Sequence, residues 1–114
     1  MDLSIIILNY KSKGLVKQCV KTIGLYAPKL FYEIIVVDND SRDGVDAMLA
    51  ERFPEVRFIR SPANVGYAAG NNLGVRAARG RYIMIMNPDI TIRPGSLEEM
   101  TAYMDAHGDV GIMG

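Results

Sequence analysis

Two uninterrupted apolar runs constrain the fold of this chain most strongly. Residues 34–37 are all isoleucine or valine, and residues 83–86 are all isoleucine or methionine. Strands without polar alternation are typical of a parallel sheet that helices cover on both faces. Each run is followed at once by carboxylate and amide side chains: Asp38, Asn39 and Asp40 after the first, Asn87 and Asp89 after the second. Open α/β folds place their ligand crevice at this edge of the sheet, so the pattern predicts a ligand site there.

Strand and helix patterns alternate along the rest of the sequence. The predicted strands cover residues 3–8, 33–37, 56–59 and 82–86, and a fifth begins at Val110. The predicted helices cover residues 13–26, 41–53, 67–79 and 96–106. This alternation favours right-handed crossovers and a mostly parallel sheet with flanking helices, in which residues 82–86 are buried on both faces. Because the fifth strand has only begun at Gly114, we expect a truncated sheet.

Capping signals locate several helix ends. Pro28 follows the first helix as a stop, and residues 41–43 open the second. Ser96 and Glu99 have the spacing of a capping box at the start of the fourth helix, which Gly108 closes. The sequence therefore predicts that the second helix starts at residues 41–43 and that a side-chain cap begins the fourth helix.

The composition excludes several classes of function. With 114 residues the chain is one domain by size, and 13 basic residues balance 13 acidic ones, so we expect no nucleic-acid partner. Cys19 has no second cysteine to pair with, which predicts a core thiol rather than a disulfide or a metal ligand. The apolar run at residues 5–8 is too short for a signal segment or a membrane span, so we expect a cytoplasmic protein.

Further polar and small residues follow the other predicted strands. Asn9 comes after the first strand and Asn64 after the third. Gly66, Gly70 and Gly74 recur at a spacing of four in the third helix, where each costs about 1 kcal/mol relative to alanine. Either the sheet or a ligand must therefore approach one face of this helix closely.

The usual phosphate-binding motifs of nucleotide-binding folds are missing from the sequence. The loop at residues 9–14 has one glycine and cannot form the Gly-x-Gly-x-x-Gly turn, and no P-loop sequence occurs. The same loop argues against a nucleotidyltransferase, which would need a glycine-rich basic loop there. A bound nucleotide would therefore hold its phosphates through a cation, and Asp89 offers a carboxylate suited to Mg2+ or Mn2+.

Four segments together resemble family 2 glycosyltransferases in their order and spacing. They are residues 4–10, 36–41, 64–72 and 87–89. The third segment, Asn-Val-Gly-Tyr-Ala-Ala-Gly-Asn-Asn, is similar to that of the rhamnosyltransferase-like branch. The resemblance covers essentially the whole chain and implies a Rossmann-like GT-A fold in which residues 1–114 form the part that binds the nucleotide-sugar donor.

The resemblance implies an inverting transfer of a sugar from a UDP- or dTDP-linked donor to an acceptor hydroxyl. The general base of such enzymes would lie beyond Gly114, so the isolated chain is expected to be inactive. A non-catalytic nucleotide-sugar binding or assembly module is the alternative. The acceptor would be a saccharide or a lipid-linked molecule, and the latter would bring the protein to the inner face of the membrane. An exposed sheet edge would favour self-association.

The resemblance also implies a role for each matching residue. Leu8 and Tyr10 would flank the nucleoside, and Asp38 would accept a hydrogen bond from the pyrimidine N3–H. Asp89 would be the metal-binding carboxylate at the last position of the family's Asp-x-Asp motif, whose first position is Asn87 here. A neutral asparagine there can still orient a ribose hydroxyl or a metal-bound water. The other implied contacts to the nucleotide sugar are Asn39, Asp40, Asn64, Gly66 and Gly70, with Asn71 as a weaker candidate.

Overall fold

Four parallel strands alternate with four helices in the structure, a computed structural model that describes residues 1–26, 30–90 and 92–107. The strands are β1 (Leu3–Asn9), β2 (Tyr32–Asp38), β3 (Arg57–Arg60) and β4 (Tyr82–Met86). The helices are α1 (Lys13–Tyr26), α2 (Val45–Arg52), α3 (Tyr67–Ala77) and α4 (Ser96–Ala106). The strand order is β3-β2-β1-β4, and every pairing is parallel. The predicted α/β class and parallel sheet are confirmed.

Side-chain alternation divides the core between the two faces of the sheet. On one face, Ile5 and Ile7 of β1 belong to a buried cluster with residues of α1, α2 and α4. On the other face, Ile6 and Val37 pack against α3 through Leu73. The strands β1 and β2 are therefore buried on both faces, as their uninterrupted apolar runs predict.

Cys19 is a core thiol, as predicted. It is buried in α1, and its sulfur lies 3.5 Å from the sulfur of Met86 in β4. Burial, together with the negative charge of Asp89, raises the pKa of the Cys19 thiol to about 11. The thiol is therefore protonated at neutral pH and is a poor nucleophile.

The prediction that residues 82–86 are buried on both faces is wrong. In the described sheet β4 is an edge strand that pairs with β1 alone. Helix α3 packs on β1 and β2 and leaves Ile83 and Ile85 46% and 48% exposed, whereas Met86 on the opposite face is buried. The predicted self-association through an exposed edge stays a prediction.

The second helix begins later than predicted. α2 starts at Val45, after Gly44 with φ 85°, and residues 41–43 form a loop rather than its first turn. The reason is that the side chains of Ser41 and Asp43 are bonded to Asn9 at the end of β1, which holds this segment against the sheet.

The capping box at the fourth helix is also absent. Ser96 is the first residue of α4 and Gly95, with φ 81°, precedes it as the cap. The Ser96 hydroxyl donates backwards to the Arg93 carbonyl over 2.9 Å and is not available to the backbone N–H of Glu99, which bonds to the Gly95 carbonyl. The other predicted ends, Pro28 and Gly108, and the strand beginning at Val110 lie outside the described residues.

The amino-terminal edge of the sheet is held together by the carboxylate of Glu33. Its Oε2 accepts hydrogen bonds from the Ser4 hydroxyl and the Arg79 backbone N–H, both over 2.6 Å, and its Oε1 accepts from Arg57 over 2.8 Å. Arg57 also donates to the Ala77 carbonyl over 2.7 Å. These bonds tie three strands to the end of α3, which stops at Ala77 rather than at the predicted Arg79.

The helices of the described part of the chain are short. Within residues 1–26, 30–90 and 92–107, none is both long enough and apolar enough to cross a membrane.

Candidate functional site

The centre of the candidate site is the carboxylate of Asp38 at the end of β2. The register of the sheet pairs Asp38 with Asn9 of β1, and the two residues are 1% and 0% exposed. Asn9 Nδ2 donates to Asp38 Oδ1 over 2.9 Å, and the Ser41 hydroxyl donates to the same oxygen. Asp38 Oδ2 accepts no hydrogen bond from another described side chain and faces Arg60 Nε at 3.9 Å. One oxygen of the carboxylate is thus occupied and the other remains available.

Asn9 is itself held from two sides. Its Oδ1 accepts a hydrogen bond from the Ser12 backbone N–H over 3.1 Å, and its Nδ2 also lies 3.3 and 3.4 Å from the carboxylate oxygens of Asp43. Asp43 accepts further bonds from the backbone N–H groups of Lys13 and Val45. Burial alone would raise the pKa of Asp43, but these hydrogen bonds outweigh it and lower the pKa. Asp43 is therefore ionised at neutral pH.

Asn39 connects the end of β2 to the start of α3. It is 2% exposed, its Nδ2 donates to the Gly66 carbonyl over 3.2 Å, and its Oδ1 accepts from the Val65 N–H over 3.0 Å. Gly66 has φ 87° and ψ 174°, a conformation that is essentially restricted to glycine. The exposed Asn64 accepts a hydrogen bond from the Gly66 N–H over 3.0 Å.

Gly70 and Gly74 allow α3 to lie directly on the sheet. A Cβ atom at Gly70 would be 2.7 Å from a terminal methyl group of Leu8, and one at Gly74 would be 2.5 Å from Cγ2 of Ile6. The close approach that the glycine spacing predicts is therefore confirmed at these two positions, and the approaching group is the sheet. At Gly66, by contrast, a Cβ would meet nothing within 4 Å, and the backbone conformation requires the glycine.

Three residues other than glycine have positive φ in the described chain, and all three lie in loops at this edge. They are Lys11, Asp40 and Arg42, with φ of 54°, 59° and 55°. Left-handed backbone costs about 1 to 2 kcal/mol at such residues and is concentrated at functional sites. Asp40 forms a 3.4 Å ion pair with Arg42, and Tyr10 is 44% exposed with the Lys11 ammonium 5.3 Å from its ring centroid.

The turn after β4 meets the start of α3. The Tyr67 hydroxyl donates to Asn87 Oδ1 over 3.0 Å, so these two segments are joined at the same edge as Asp38. Asp89 is exposed and forms no ion pair with another described residue. Among all the residues that the structure describes, no group of three or more His, Cys, Asp or Glu side chains is arranged to hold a metal. Asp89 would therefore contribute one carboxylate to a cation whose other ligands come from elsewhere.

Two residues of this edge, Ser41 and Asp43, have roles that the sequence does not predict. The sequence pattern puts them at the start of a helix, whereas they hold Asn9 and Asp38. No local pattern reveals this, because Asn9 is distant along the chain. Asn71, the weaker candidate, is 3% exposed, and both polar atoms of its amide are without a hydrogen-bond partner in the described chain.

Two cavities lie on different sides of the molecule. One of about 310 Å³ adjoins the candidate site between α3 and the loop after β3, and Ser61, Val65 and Asn72 are among its lining residues. Another of about 570 Å³ opens at the amino-terminal edge, where Glu33 and Arg57 contribute to its wall. None of the predicted site residues lines either of these two cavities.

The sequence matches the model of Glycosyl transferase family 2 over residues 4–114. The chain belongs to this family. It is 32% identical over 108 residues to the succinoglycan biosynthesis protein ExoO of Rhizobium meliloti. That alignment takes in 94% of this chain and 31% of ExoO, so the chain spans about a third of the length of this curated relative.

Solved structures show the same fold as this family 2 chain. S. aureus TarS 1–349 in complex with UDP superposes with a TM-score of 0.84 at 21% identity, over 95% of this chain and 33% of TarS 1–349. The mannosyltransferase PcManGT of Pyrobaculum calidifontis, in complex with GDP-Man and Mn2+, gives 0.76 at 20% identity, over 90% of this chain and 32% of PcManGT. At these identities the likeness establishes the fold, and the predicted GT-A fold is confirmed.

Proposed function

We propose that residues 1–114 form the donor-binding part of an inverting glycosyltransferase that takes its sugar from a UDP- or dTDP-linked donor. The observation that carries this proposal is the buried Asp38 carboxylate, which keeps one oxygen free of bonds to other described side chains. Uracil and thymine both have an N3–H group, from which this oxygen can accept a hydrogen bond. The UDP complex of TarS, a protein of the same fold, supports the choice of ligand class.

The other predicted residues surround that contact in the proposed complex. Leu8 and Tyr10 flank the nucleoside, and Asn87 orients a ribose hydroxyl while it is bonded to Tyr67. The remaining contacts come from the carboxyl end of β2 and the start of α3, two segments that Asn39 connects through its hydrogen bonds. These contact residues are Asn39, Asp40, Asn64, Gly66 and Gly70.

Asp89 holds a divalent cation in this proposal. An exposed carboxylate is a ligand type that Mg2+ and Mn2+ prefer, and such ions commonly combine one or two protein carboxylates with substrate phosphates. This fits a site in which the described chain supplies no cluster of three ligands. The PcManGT complex, which contains Mn2+ together with GDP-Man, supports the presence of a divalent cation. When bound, the cation supplies charge stabilisation at the diphosphate leaving group.

The proposed transfer is a direct displacement. An acceptor hydroxyl, from a saccharide or a lipid-linked molecule, attacks the anomeric carbon from the face opposite the diphosphate and so inverts its configuration. The residues of this chain bind the nucleotide and fix the position of the donor, which lowers the entropic cost of the attack. We assign none of them as the general base.

The test is calorimetric titration of UDP and dTDP into the purified chain. In the presence of Mn2+ we expect binding, and we expect EDTA to weaken it at least tenfold. Asp89→Ala should bind in Mn2+ as weakly as the wild type binds in EDTA, because it lacks the carboxylate that holds the cation. Glu51→Ala, an exposed change on α2, is the matched control and should bind like the wild type.

Two results would contradict this account. If neither nucleotide binds to a folded protein, the proposed donor site is wrong. If UDP binds equally well with Mn2+, with EDTA and in Asp89→Ala, the donor site stands and the assignment of Asp89 is wrong.

A further inference from the structure

We propose that Asn9 and Ser41 are positioning residues: both donate to Oδ1 of Asp38 and so turn its other oxygen, Oδ2, towards the pyrimidine base, whose N3–H it accepts. This inference rests on the proposed function, in which Asp38 contacts the base. It goes beyond that function because it assigns the orientation of Asp38 to residues that do not touch the base. It also predicts how the specificity can be inverted.

The orientation of the Asn9 amide follows from the chemistry of its neighbours. The backbone N–H of Ser12, 3.1 Å from Oδ1, can only donate a hydrogen bond. The ionised carboxylate of Asp43, 3.3 and 3.4 Å from Nδ2, can only accept one. A flipped amide would face both neighbours with the wrong group, so Asn9 presents its N–H to Asp38.

The Ser41 hydroxyl, like the Asn9 amide, is a hydrogen-bond donor to Asp38. Ser41 Oγ accepts a hydrogen bond from Asn9 Nδ2 over 3.0 Å, which leaves its proton to be donated to a carboxylate oxygen, and Oδ1 of Asp38 lies nearer to it than Oδ1 of Asp43 at 3.1 Å. Two donors therefore converge on Oδ1 of Asp38. Among the described residues, Oδ2 has one ion-pair partner, the Arg60 guanidinium at 3.9 Å, which Asp46 holds more closely at 2.8 Å. Because Asp38 is 1% exposed, the inference requires the half-exposed Arg60 side chain to move when a base binds to Oδ2.

The two donors at Oδ1 determine how the side-chain amide of an asparagine would be oriented at position 38. In Asp38→Asn, the carbonyl oxygen would take the place of Oδ1, since both neighbours there are donors. The NH2 group would then take the place of Oδ2 and present a donor to the base. The N3–H of uracil or thymine is also a donor and would form no hydrogen bond with this NH2 group. The unprotonated N3 of cytosine would accept a hydrogen bond from it. The preference of the site should therefore change from UDP and dTDP to CDP.

The experiment is calorimetric titration of UDP, dTDP and CDP into wild type and Asp38→Asn, with Mn2+ present. We expect the wild type to bind UDP and dTDP at least tenfold more tightly than CDP, since a mismatched buried donor costs about a factor of ten or more. In Asp38→Asn we expect the order to reverse, with CDP the tightest of the three. Glu51→Ala, the exposed change on α2, is the control and should leave the wild-type order unchanged.

The positioning role is tested in the Asp38→Asn background. Adding Asn9→Ala should weaken the CDP preference, because the remaining Ser41 hydroxyl can either donate to the amide or accept from it. If that double variant does not fold, Ser41→Ala added to Asp38→Asn is expected to reduce the CDP preference in the same direction.

The outcomes separate this inference from the proposed function. A wild type that binds no nucleotide overturns the function and the inference together. A wild type that binds UDP, with an Asp38→Asn variant that keeps the UDP preference or binds none of the three, overturns the inference alone. A CDP preference that is unchanged when Asn9→Ala is added to Asp38→Asn, or when Ser41→Ala is added because the first double variant does not fold, overturns their positioning role.

Discussion

Glu33→Gln is expected to lower the free energy of unfolding by about 2 to 4 kcal/mol at neutral pH. The groups that bond to Glu33 are all donors in the described network: the Ser4 hydroxyl, the Arg57 guanidinium and the Arg79 backbone N–H. A glutamine of the same size must turn its NH2 group towards at least one of them. It also leaves Arg57, which is one-third exposed, without its counter-charge. Urea unfolding measures the difference.

The same prediction has a pH dependence with a definite sign. Burial would raise the pKa of Glu33, but the hydrogen bonds from Ser4, Arg57 and the Arg79 backbone outweigh it, and the pKa is lowered. A carboxyl group whose pKa is lower in the folded state stabilises the protein fully above its unfolded pKa of about 4.3. That stabilisation is lost as the pH falls through the folded pKa.

The stability gap between wild type and Glu33→Gln should therefore narrow at about pH 3. Glu51→Gln, an exposed change on α2, is the control and should stay within about 0.5 kcal/mol of the wild type at both pH values. A Glu33→Gln variant as stable as this control at neutral pH would show that the buried network contributes nothing to the fold.

Gly74→Ala should destabilise the protein although alanine is the better helix former. A Cβ at Gly74 would be 2.5 Å from Ile6 Cγ2 and 3.2 Å from Val37 Cγ2, and both of those side chains are fully buried. Overpacking of this kind costs about 1 to 3 kcal/mol, of which about 1 kcal/mol is offset by the gain in helix propensity. We expect a net loss of up to about 2 kcal/mol.

Gly24→Ala is the matched substitution in α1. A Cβ there would meet nothing within 4 Å, so only the helix propensity changes and the stability should rise by about 0.5 to 1 kcal/mol. The two variants should thus shift the midpoint of urea unfolding in opposite directions. A stabilising Gly74→Ala would mean that α3 does not lie as close to the sheet as the structure has it.

The elements that were predicted correctly are those whose own residues determine them. Helix α1 has its predicted bounds because Val16, Cys19, Val20 and Ile23 recur at helical spacing and become its buried face. Strand β4 also has its predicted bounds, but its exposed face could not be read from its sequence. Whether Ile83 and Ile85 are covered depends on what packs beside them, and α3 lies over β1 and β2 instead.

Some of the polar residues of the candidate site could likewise be predicted from the sequence, and others could not. Asp38 and Asn39 could be predicted as site residues because they follow an apolar run, and their burial at the carboxyl edge agrees with that position. The roles of Ser41 and Asp43 could not, since serine and aspartate after a strand usually cap a helix and their partner Asn9 is 32 and 34 residues away. The structural role of Glu33 could not be predicted for a similar reason, because its hydrogen-bond partners come from three other segments of the chain.

The most direct test of the central claim is to map UDP binding by amide chemical shifts of the labelled chain in the presence of Mg2+. We predict that the shifts concentrate at the carboxyl edge of the sheet, at Asp38, Asn39, Gly66, Gly70 and Asp89, and that Glu33 and Arg57 beside the opposite cavity remain unchanged. Shifts confined to Glu33, Arg57 and the other residues of that cavity, or no shifts at saturating UDP, would contradict the assignment of the donor site.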